Sequence, residues 1–272
     1  MENIKEIIRT RRSVRTYDSD PIATEDINKL TEYAEKLENP FGIGVEFRFL
    51  NAKEHNLSSP VIVGTESYVA AKVSRAPLYE VAYGYCFEKF CLYAWSLGIG
   101  TVMLAGTLSR RTFEKAMDLG KDEEMPVASP IGYPAEKLSM REKLMRKAVK
   151  ADARQPFGKL FYDRSFAKSL TEESAEQFAD ALEMVRLAPS AVNKQPWRAV
   201  KCGDTVHFYR AKSMGVLSDG ELDLQKIDMG IALAHFDLTL QEQGVDGEFT
   251  DKNPGLQVDD DMEYIISYEV QG

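Results

Sequence analysis

The sequence predicts an α+β fold made of two halves with a similar plan. Helical and strand-like segments alternate, yet several strand-like segments lie close together, which favours helices packed on mixed sheets over a regular doubly wound sheet. A long apolar helical segment closes each half, and the two run from glycine to glycine at the same spacing, 84–98 and 230–244. Rossmann and P-loop folds are not favoured, because the nearest candidate motif, GIGTVMLAG, lacks a third glycine at the required offset.

The chain is long enough, at 272 residues, for one large domain or for two smaller domains fused together. Its composition of 44% hydrophobic and 28% charged residues is typical of a folded protein rather than a disordered one. Because the two halves show similar patterns, we expect one domain at residues 1–158 and a second at 159–272, each with a mixed sheet and packed helices.

The order of features within each half supports an internal repeat. Each half has an Arg-Ser pair, an acidic helix start, a helix, a strand and a long apolar helix that ends at a glycine suited to a left-handed cap. In the first half these features begin at Arg12, Thr24, Val45 and Gly84, and in the second at Arg164, Thr171, Trp197 and Gly230. Any two amphipathic helices resemble each other, so the similarity of these two helices does not by itself distinguish an internal repeat from coincidence.

Seven segments have the apolar and β-branched character of strands. They are VEFRFL at 45–50, PVIVG at 60–64, GTVML at 100–104, ASPIGYP at 128–134, RAVKC at 198–202, VHFYR at 206–210 and EYIISYEV at 263–270.

The net charge of −9 provides no overall basic field for nucleic acid or for an anionic membrane surface. No segment approaches the ~18 uncharged apolar residues of a membrane span, and the start, MENIKEIIRTRRS, lacks the apolar run of a secretory signal. We therefore expect a cytoplasmic protein that binds neither nucleic acid nor a membrane. The basic run 137–159 could indicate RNA binding, but interspersed acids and the lack of interleaved aromatics favour a solvated helix.

Cysteine and histidine residues give no sign of a metal site or a disulfide. Cys86, Cys91 and Cys202 form no CxxC pair. The histidines at 55, 207 and 235 are scattered, without a neighbouring nucleophile or orienting carboxylate, and each is expected to be structural.

The segment RTRRSVRTY places Arg11, Arg12, Ser13 and Arg15 within five residues. Guanidinium groups bind phosphate oxygens in bidentate fashion, and a cluster of them needs an anion to offset mutual repulsion. The segment is therefore a candidate phosphate-binding cluster. An equally weighted alternative is a solvated turn whose charges pair with Asp18 and Asp20.

A second polar segment, LAPSAVNKQPWRAV, follows a helix that ends near residue 187. Its prolines oppose regular helix, while Ser190 and Asn193 offer short polar groups and backbone amides for the edge of a planar heterocycle. Pro189 and Ala191 lie in the same segment. Trp197 is most simply interpreted as a core anchor at the start of a strand.

Together, RRSVR and PSxxNxQPW resemble the two signature segments of the FMN-dependent nitroreductase family. Members of that family are usually dimers of an α+β subunit, with FMN at the interface and both segments needed for each flavin. Here the segments lie in different halves, so the chain resembles the single-chain branch in which duplication replaces the dimer. The resemblance implies a nitroreductase-like fold and a monomer.

The resemblance also implies roles for individual residues. Arg11, Arg12, Ser13 and Arg15 would contact the phosphate, ribityl chain and ring edge, and Pro189, Ser190, Ala191 and Asn193 would form the segment usually supplied by the partner subunit. SLGIGTVMLAGT would bring Leu104, Ala105 and Gly106 beside the ring, and ARQPF would bring Arg154 to the phosphate. The family often has a lysine two residues before that arginine, where this chain has Asp152.

The implied activity is electron transfer from NADH or NADPH, through FMN, to an electron-poor acceptor such as a nitroaromatic or a quinone. No catalytic acid is evident, so the catalytic residues stay unassigned. Three alternatives stay open: a non-catalytic flavin-binding protein, a flavin enzyme with another acceptor, and a fold relic without flavin. The reciprocal pair of segments, DRSFAK and ENPFGIG, lacks the full set of polar groups, so one flavin per chain is expected.

Overall fold

A computed structural model of the chain describes residues 2–213 and 222–271. It divides into two compact units, one formed by Thr10–Ala151 and the other by Met1–Arg9 with Asp152–Gly272. The predicted boundary lay at 158/159, whereas the units divide between Ala151 and Asp152 and the first nine residues group with the C-terminal part. These N-terminal residues join that unit because the backbone N–H of Ile4 donates to Glu242 Oε1 at 2.5 Å and Lys5 pairs with Asp180 at 2.7 Å.

The unit of residues 10–151 contains five helices, α2 to α6, and five strands, β1 to β5, within the described chain. The helices are α2 (Thr24–Glu35), α3 (Ala52–His55), α4 (Tyr79–Ser96), α5 (Arg110–Ala116) and α6 (Met140–Ala148). The strands are β1 (Val45–Asn51), β2 (Ser67–Ser74), β3 (Gly100–Thr101), β4 (Glu123–Glu124) and β5 (Ala128–Gly132). They form a sheet in the order β1-β2-β5-β3, with β4 paired to β2.

The second unit contains a five-stranded sheet in the order β6-β7-β8-β10-β9. Its strands are β6 (Phe161–Asp163), β7 (Trp197–Cys202), β8 (Thr205–Ala211), β9 (Gly247–Thr250) and β10 (Met262–Val270). Its helices are α1 (Ile4–Thr10), α7 (Phe157–Leu160), α8 (Glu172–Ala175), α9 (Ala179–Leu187) and α10 (Leu224–Gln243), with short 3-10 turns at Glu176–Phe178 and Ala191–Asn193.

The α+β prediction is confirmed, but the two sheets differ in strand direction. In the second unit β6 and β7 are parallel and the other pairs antiparallel, which makes a mixed sheet as expected. In the first unit the named strands pair only antiparallel. Parallel pairing occurs there as isolated bridges, from Ser13 to Thr101 and from Thr16 to Val63. We expected a mixed sheet in each half, but the named strands of the first unit form an antiparallel sheet.

Five of the seven predicted strands are present, and two predictions need correction. Residues 60–64 form no strand, since Val63 makes only an isolated bridge and is 46% exposed. Of residues 100–104, only the first two belong to a strand, and Leu104 forms a single bridge to Ala128. Sequence analysis also missed β2, a central strand buried along most of its length whose small alanines give little alternation of hydrophobic and polar residues.

The long helices α4 and α10 are the centres of their units. Each has buried residues on every face, because its neighbours cover it all round. Both end as predicted at a glycine in the left-handed region, Gly98 with φ +77° and Gly244 with φ +71°. Trp197 is fully buried, which confirms its interpretation as a core anchor.

Two of the three histidines are satisfied inside the second unit, as expected of structural residues. His207 Nδ1 lies 2.7 Å from Ser267 Oγ, and His235 Nδ1 lies 2.9 Å from the carbonyl oxygen of Met184. Both rings therefore have a local partner that fixes their orientation.

Gly100 allows the chain after residue 10 to lie directly against β3. A Cβ atom at this position would lie 2.7 Å from Val14 Cγ2, and Val14 is fully buried. We expect Gly100→Ala to lower the free energy of unfolding by about 1 to 3 kcal/mol, since overpacked cores must shift backbone or rotamers. Urea denaturation would measure the loss, with Gly44→Ala as a control because that site has open space. Equal stability of the two variants would show that Val14 does not constrain Gly100.

Candidate functional site

The arginine segment, residues 11–15, is fixed to the first unit by backbone hydrogen bonds. The N–H of Val14 donates to the carbonyl of Thr101 at 2.9 Å, and the N–H of Val63 donates to the carbonyl of Arg15 at 3.0 Å. The N–H of Tyr17 donates in turn to the carbonyl of Val63 at 2.9 Å. Because Val14 faces the core, its neighbours are held at defined positions beside the sheet edge.

Arg11 is buried beside an acidic residue that sequence analysis missed. Its side chain is 5% exposed, and Nη2 lies 3.9 Å from Oε2 of Glu88, a fully buried residue of α4. Burial alone would lower the pKa of Arg11, but the charge of Glu88 and a contact with Cys91 raise it above the ordinary value. Part of the repulsion within the arginine segment is therefore offset by a core carboxylate.

Arg15 is half-buried, and its Nε has no hydrogen-bond partner among the described residues. Burial lowers the pKa of its guanidinium; the carboxylate of Glu142 opposes this change, while the charges of Arg146 and Arg11 add to it. Asp18, one of the suggested partners, instead accepts the backbone N–H of Asp20 at 2.9 Å. The burial of Arg11 and the partial burial of Arg15 do not fit the alternative of a fully solvated turn.

The remaining predicted residues of this unit lie along the edge of the same sheet. Arg12 and Ser13 are half-buried, and the backbone of Ser13 bridges to Thr101. Leu104 exchanges two backbone hydrogen bonds with Ala128, at 2.8 and 3.1 Å, and is buried. The following residues, Ala105 and Gly106, become progressively more exposed. The chain thus leaves the sheet where the resemblance expects backbone beside a flavin ring.

In the second unit, residues 189–195 form a tight loop containing a 3-10 turn at Ala191–Asn193. The N–H of Asn193 donates to the carbonyl of Ser190 at 3.0 Å, and Ser190 Oγ accepts the N–H of Gln195 at 2.9 Å. Sequence analysis expected no regular structure here, and the short turn is the correction. Proline at 189 and 196 limits it to a single turn.

The loop contains three residues in the left-handed region: Val192 with φ +45°, Asn193 with φ +57° and Gln195 with φ +51°. A left-handed β-branched residue costs on the order of 1–3 kcal/mol, and Val192 is also 56% exposed. Buried Gln195 holds the strained loop, since its Oε1 accepts the N–H of Gln155 at 2.8 Å and its Nε2 donates to Asn193 Oδ1 at 3.2 Å.

Arg154 has a role that the sequence did not indicate. Its Nε and Nη2 donate to the carbonyl of Leu187 at 3.2 and 3.0 Å, at the C-terminus of α9. A cation at this end satisfies an orphan carbonyl and complements the helix dipole. Asn193 Nδ2 donates to the carbonyl of Ala153 at 3.0 Å, which joins the loop to the same segment. These contacts make Arg154 a support for α9 and the loop, and its predicted contact with the phosphate stays a prediction.

Asp228, which sequence analysis missed, lies on α10 behind the loop. Its side chain is 3% exposed, and Oδ1 accepts the backbone N–H of Ala191 at 2.9 Å. Oδ2 has no hydrogen-bond partner among the described residues. Burial raises the pKa of Asp228 to about 8, although the N–H of Ala191 acts in the opposite direction. The signal in the sequence was an aspartate two residues before the apolar segment that begins at Gly230.

The raised pKa of Asp228 makes stability depend on pH. In the unfolded chain this carboxyl has a pKa of about 4, so the folded state holds its proton more tightly. The resulting stabilisation of the folded state is complete below about pH 4 and is lost as the pH rises toward 8. Asparagine at this position cannot titrate but can still accept the Ala191 N–H.

We therefore expect the stability of Asp228→Asn relative to the native chain to rise between pH 5 and pH 8 by on the order of 1 kcal/mol per pH unit, and then to level off. Chemical denaturation at several pH values measures this slope, and exposed Asp260→Asn is the control. If the free energies of unfolding of the native chain and of Asp228→Asn change in parallel with pH, Asp228 is ionised at neutral pH.

Two further properties bear on the class of site. Among residues 2–213 and 222–271, no three or more His, Cys, Asp or Glu side chains are placed to hold a metal ion. No helix in these ranges combines the length and apolar character needed to cross a bilayer.

Comparison with known structures places this fold among the nitroreductases. A "putative nitroreductase" from Thermotoga maritima superposes with a TM-score of 0.63 at 20% identity, covering 98% of this chain and 93% of that one. A nitroreductase family protein from Clostridium novyi gives 0.43 at 15% identity, over 50% of this chain and 87% of that one. An FMN-dependent nitroreductase from Clostridium difficile gives 0.42 at 14% identity, over 49% and 88%.

The family is shown by the sequence itself. Comparison with curated proteins gave no match, but a family model described as "Putative TM nitroreductase" matches residues 3–240. That range includes both the arginine segment and the loop at 189–195, on which the resemblance was based. The chain therefore belongs to the TM nitroreductase family.

Proposed function

We propose that the protein is an FMN-dependent oxidoreductase that passes electrons from NADH or NADPH to an electron-poor acceptor such as a nitroaromatic or a quinone. The observation that carries this proposal is the family match over residues 3–240, which includes both polar segments that the resemblance assigns to the flavin. We also propose that the chain is an internal duplication acting as a monomer, since each half has its own sheet and central helix.

The arginine segment fits the phosphate end of FMN. The Nε atoms of Arg11 and Arg15 are buried and have no hydrogen-bond partner among the described residues. Buried donors are normally paired, and charge-assisted bonds to a phosphate are the strongest that a guanidinium makes. Arg15 suits this role better than Arg11, whose charge is already offset by Glu88 at 3.9 Å. Arg12 and Ser13 are half-buried beside them.

The loop at 189–193 fits the edge of a flavin ring. Left-handed backbone at a β-branched residue persists mainly where surrounding structure holds it for a purpose, and such strain is concentrated at ligand sites. The hydroxyl of Ser190 accepts a backbone N–H and so keeps its own hydrogen to donate. Pro189 and Ala191 are half-buried, which leaves apolar surface for an aromatic ring.

Bound FMN supplies the hydride and electron chemistry, for which the side chains of this protein have no equivalent. The protein's part is to hold the phosphate with Arg15 and its neighbours, orient the ring edge with Ser190 and Asn193, and limit water beside Leu104, Ala105 and Gly106. Asp228 is a positioning residue in this account, because it holds the N–H of Ala191 at 2.9 Å. Protons reach the product from solvent, since no acid lies among the proposed ring contacts.

The first prediction of this function is spectroscopic. Protein saturated with FMN and freed of excess should retain the flavin absorption bands. Under anaerobic conditions NADH or NADPH should bleach these bands, and a nitroaromatic or quinone should restore them. If the bands are retained but neither nucleotide bleaches them, the protein binds flavin without this activity. If the bands bleach but no acceptor restores them, only the reduction of FMN by NADH or NADPH is supported.

The second prediction concerns the loop. We expect Ser190→Ala and Asn193→Ala each to weaken FMN binding by about 1 to 3 kcal/mol, because each removes a hydrogen bond to a buried partner. Asn193→Ala should also lower stability, since its amide supports the loop through the carbonyl of Ala153. Fluorescence titration with FMN and melting of the apoprotein would separate the two effects. Exposed Ser165→Ala is the control, and native affinity in both loop variants would remove the loop from the site.

A further inference from the structure

Helix α6 carries exposed apolar side chains that have no role in the account above. Met140 is 74% exposed and Leu144 is 66% exposed, which makes them the most exposed large apolar residues in the described part of the chain. Sequence analysis interpreted this basic segment as a solvated helix, which leaves these two residues unexplained. Single exposed apolar residues are common, but exposed apolar residues that lie together mark interaction surfaces.

The exposed face of α6 has an ordered arrangement of apolar and basic residues. At about 3.6 residues per turn, each residue is rotated by about 100° from the one before it. The exposed residues then follow one another around the helix in the order Lys143, Lys147, Met140, Leu144, Ala148 and Arg141. The two large apolar side chains thus occupy the middle of the exposed face, with lysines on one side and an arginine on the other.

The loop at 60–63 lies beside the start of α6 and adds a third exposed apolar residue. Arg141 donates a hydrogen bond to the carbonyl of Pro60. Val63 pairs with the backbone of Thr16, whose hydroxyl accepts the N–H of Ser139 at 3.2 Å, just before the helix begins. Val63 is 46% exposed. We refer to Val63 and the exposed face of α6 together as the α6 patch.

The opposite face of α6 fixes the helix to the first unit. Ser139 Oγ accepts the N–H of Glu142 at 3.2 Å, which caps the helix. Glu142 is 1% exposed, and its Oε2 accepts a hydrogen bond from the hydroxyl of Thr16 at 2.7 Å. The one carboxylate of the helix is therefore turned inward, away from the exposed basic residues. Because the helix is already formed and anchored, a partner that binds its outer face has little ordering cost to offset.

The charge of the α6 patch differs from that of the whole chain. Residues 137–150 include six Lys or Arg and one acidic residue, Glu142, whereas the chain carries a net charge of −9. Charges further away than the screening length of about 8 Å at physiological ionic strength contribute little. The net charge, on which we based the expectation of no membrane contact, therefore does not describe this face, which attracts anions.

Among anionic partners, a phospholipid surface fits this arrangement best. Lysine is depleted at the centres of protein interfaces, and single-stranded nucleic acids are bound by stacking on aromatic side chains, of which α6 has none. A membrane interface instead accepts projecting apolar side chains, while the stems of neighbouring lysines let their charged ends reach the headgroups.

We propose that the α6 patch attaches the protein to membrane surfaces that carry anionic phospholipids. Met140, Leu144 and Val63 enter the interface, and Lys143 and Lys147 contact the headgroups. This inference goes beyond the proposed function and does not depend on it, because the attachment needs no bound flavin.

The test is sedimentation of the full chain with vesicles of phosphatidylcholine, either alone or mixed with an equal amount of phosphatidylglycerol. The native chain should bind the anionic vesicles, more weakly as salt is added, and should bind the neutral vesicles at least 10-fold more weakly, on the order of the loss of two lysine contacts. Lys143→Gln and Lys147→Gln should each weaken binding to anionic vesicles roughly 5-fold. Lys121→Gln, an exposed lysine beside β4, is the matched control and should bind like the native chain.

The apolar part of the patch is tested by Leu144→Ser, which should weaken binding to anionic vesicles roughly 10-fold because a large apolar side chain no longer enters the interface. Val258→Ser, at an exposed apolar residue outside the patch, is the control. Thermal melting should be the same for Leu144→Ser and the native chain, since the side chain is 66% exposed. FMN affinity in the absence of vesicles should also be unchanged.

Three results would overturn the inference. The first is a native chain that does not bind anionic vesicles, and the second is a loss of binding in Lys121→Gln as large as in Lys147→Gln, because the attraction would then not be local to α6. The third is tighter binding to an RNA oligonucleotide or to polyglutamate than to vesicles, with Leu144→Ser binding like the native chain, which would assign the patch to a soluble polyanion. None of these results bears on FMN binding, so the proposed function stands or fails separately.

Discussion

Each unit is organised around a helix that is buried on all sides, α4 in one and α10 in the other. Such a helix can carry an acidic side chain only if the surrounding segments provide a partner. Glu88 of α4 meets Arg11 at 3.9 Å, and Asp228 of α10 accepts the N–H of Ala191 at 2.9 Å. In both units, the segment that the family resemblance assigns to the flavin is thus held to the core by a carboxyl group of the central helix.

This constraint explains why irregular segments have defined positions. The arginine segment lies on the edge of β3 because Gly100 leaves room for Val14, and the loop at 189–195 keeps three left-handed residues because Gln195, Asp228 and Arg154 support it from behind. Strain of this kind costs stability, so the supporting contacts have to offset it. Asp228 consequently acts on the loop through the backbone N–H of Ala191, and the hydroxyl of Ser190 keeps a hydrogen to donate.

Sequence patterns predicted the parts of the fold that depend on local chemistry. The helices ending at Gly98 and Gly244 and the core position of Trp197 were identified correctly, because caps and bulky apolar residues are visible locally. Strand β2 was missed because its small buried residues show little alternation. The roles of Glu88, Glu142, Asp228 and Arg154 could not be predicted, since each depends on a partner far away in the sequence, as Glu142 does on Thr16.

The central claim is that this chain is a flavoprotein in which one set of polar segments serves one cofactor. The most direct test is the amount of FMN released by acid from protein that was saturated and then freed of excess, measured against protein concentration from amino-acid analysis. The account predicts one equivalent per chain, because DRSFAK has fewer arginines than RRSVR and ENPFGIG has no serine. Two equivalents would show that the second set of segments also binds flavin, and none would contradict the assignment of this protein as a flavoprotein.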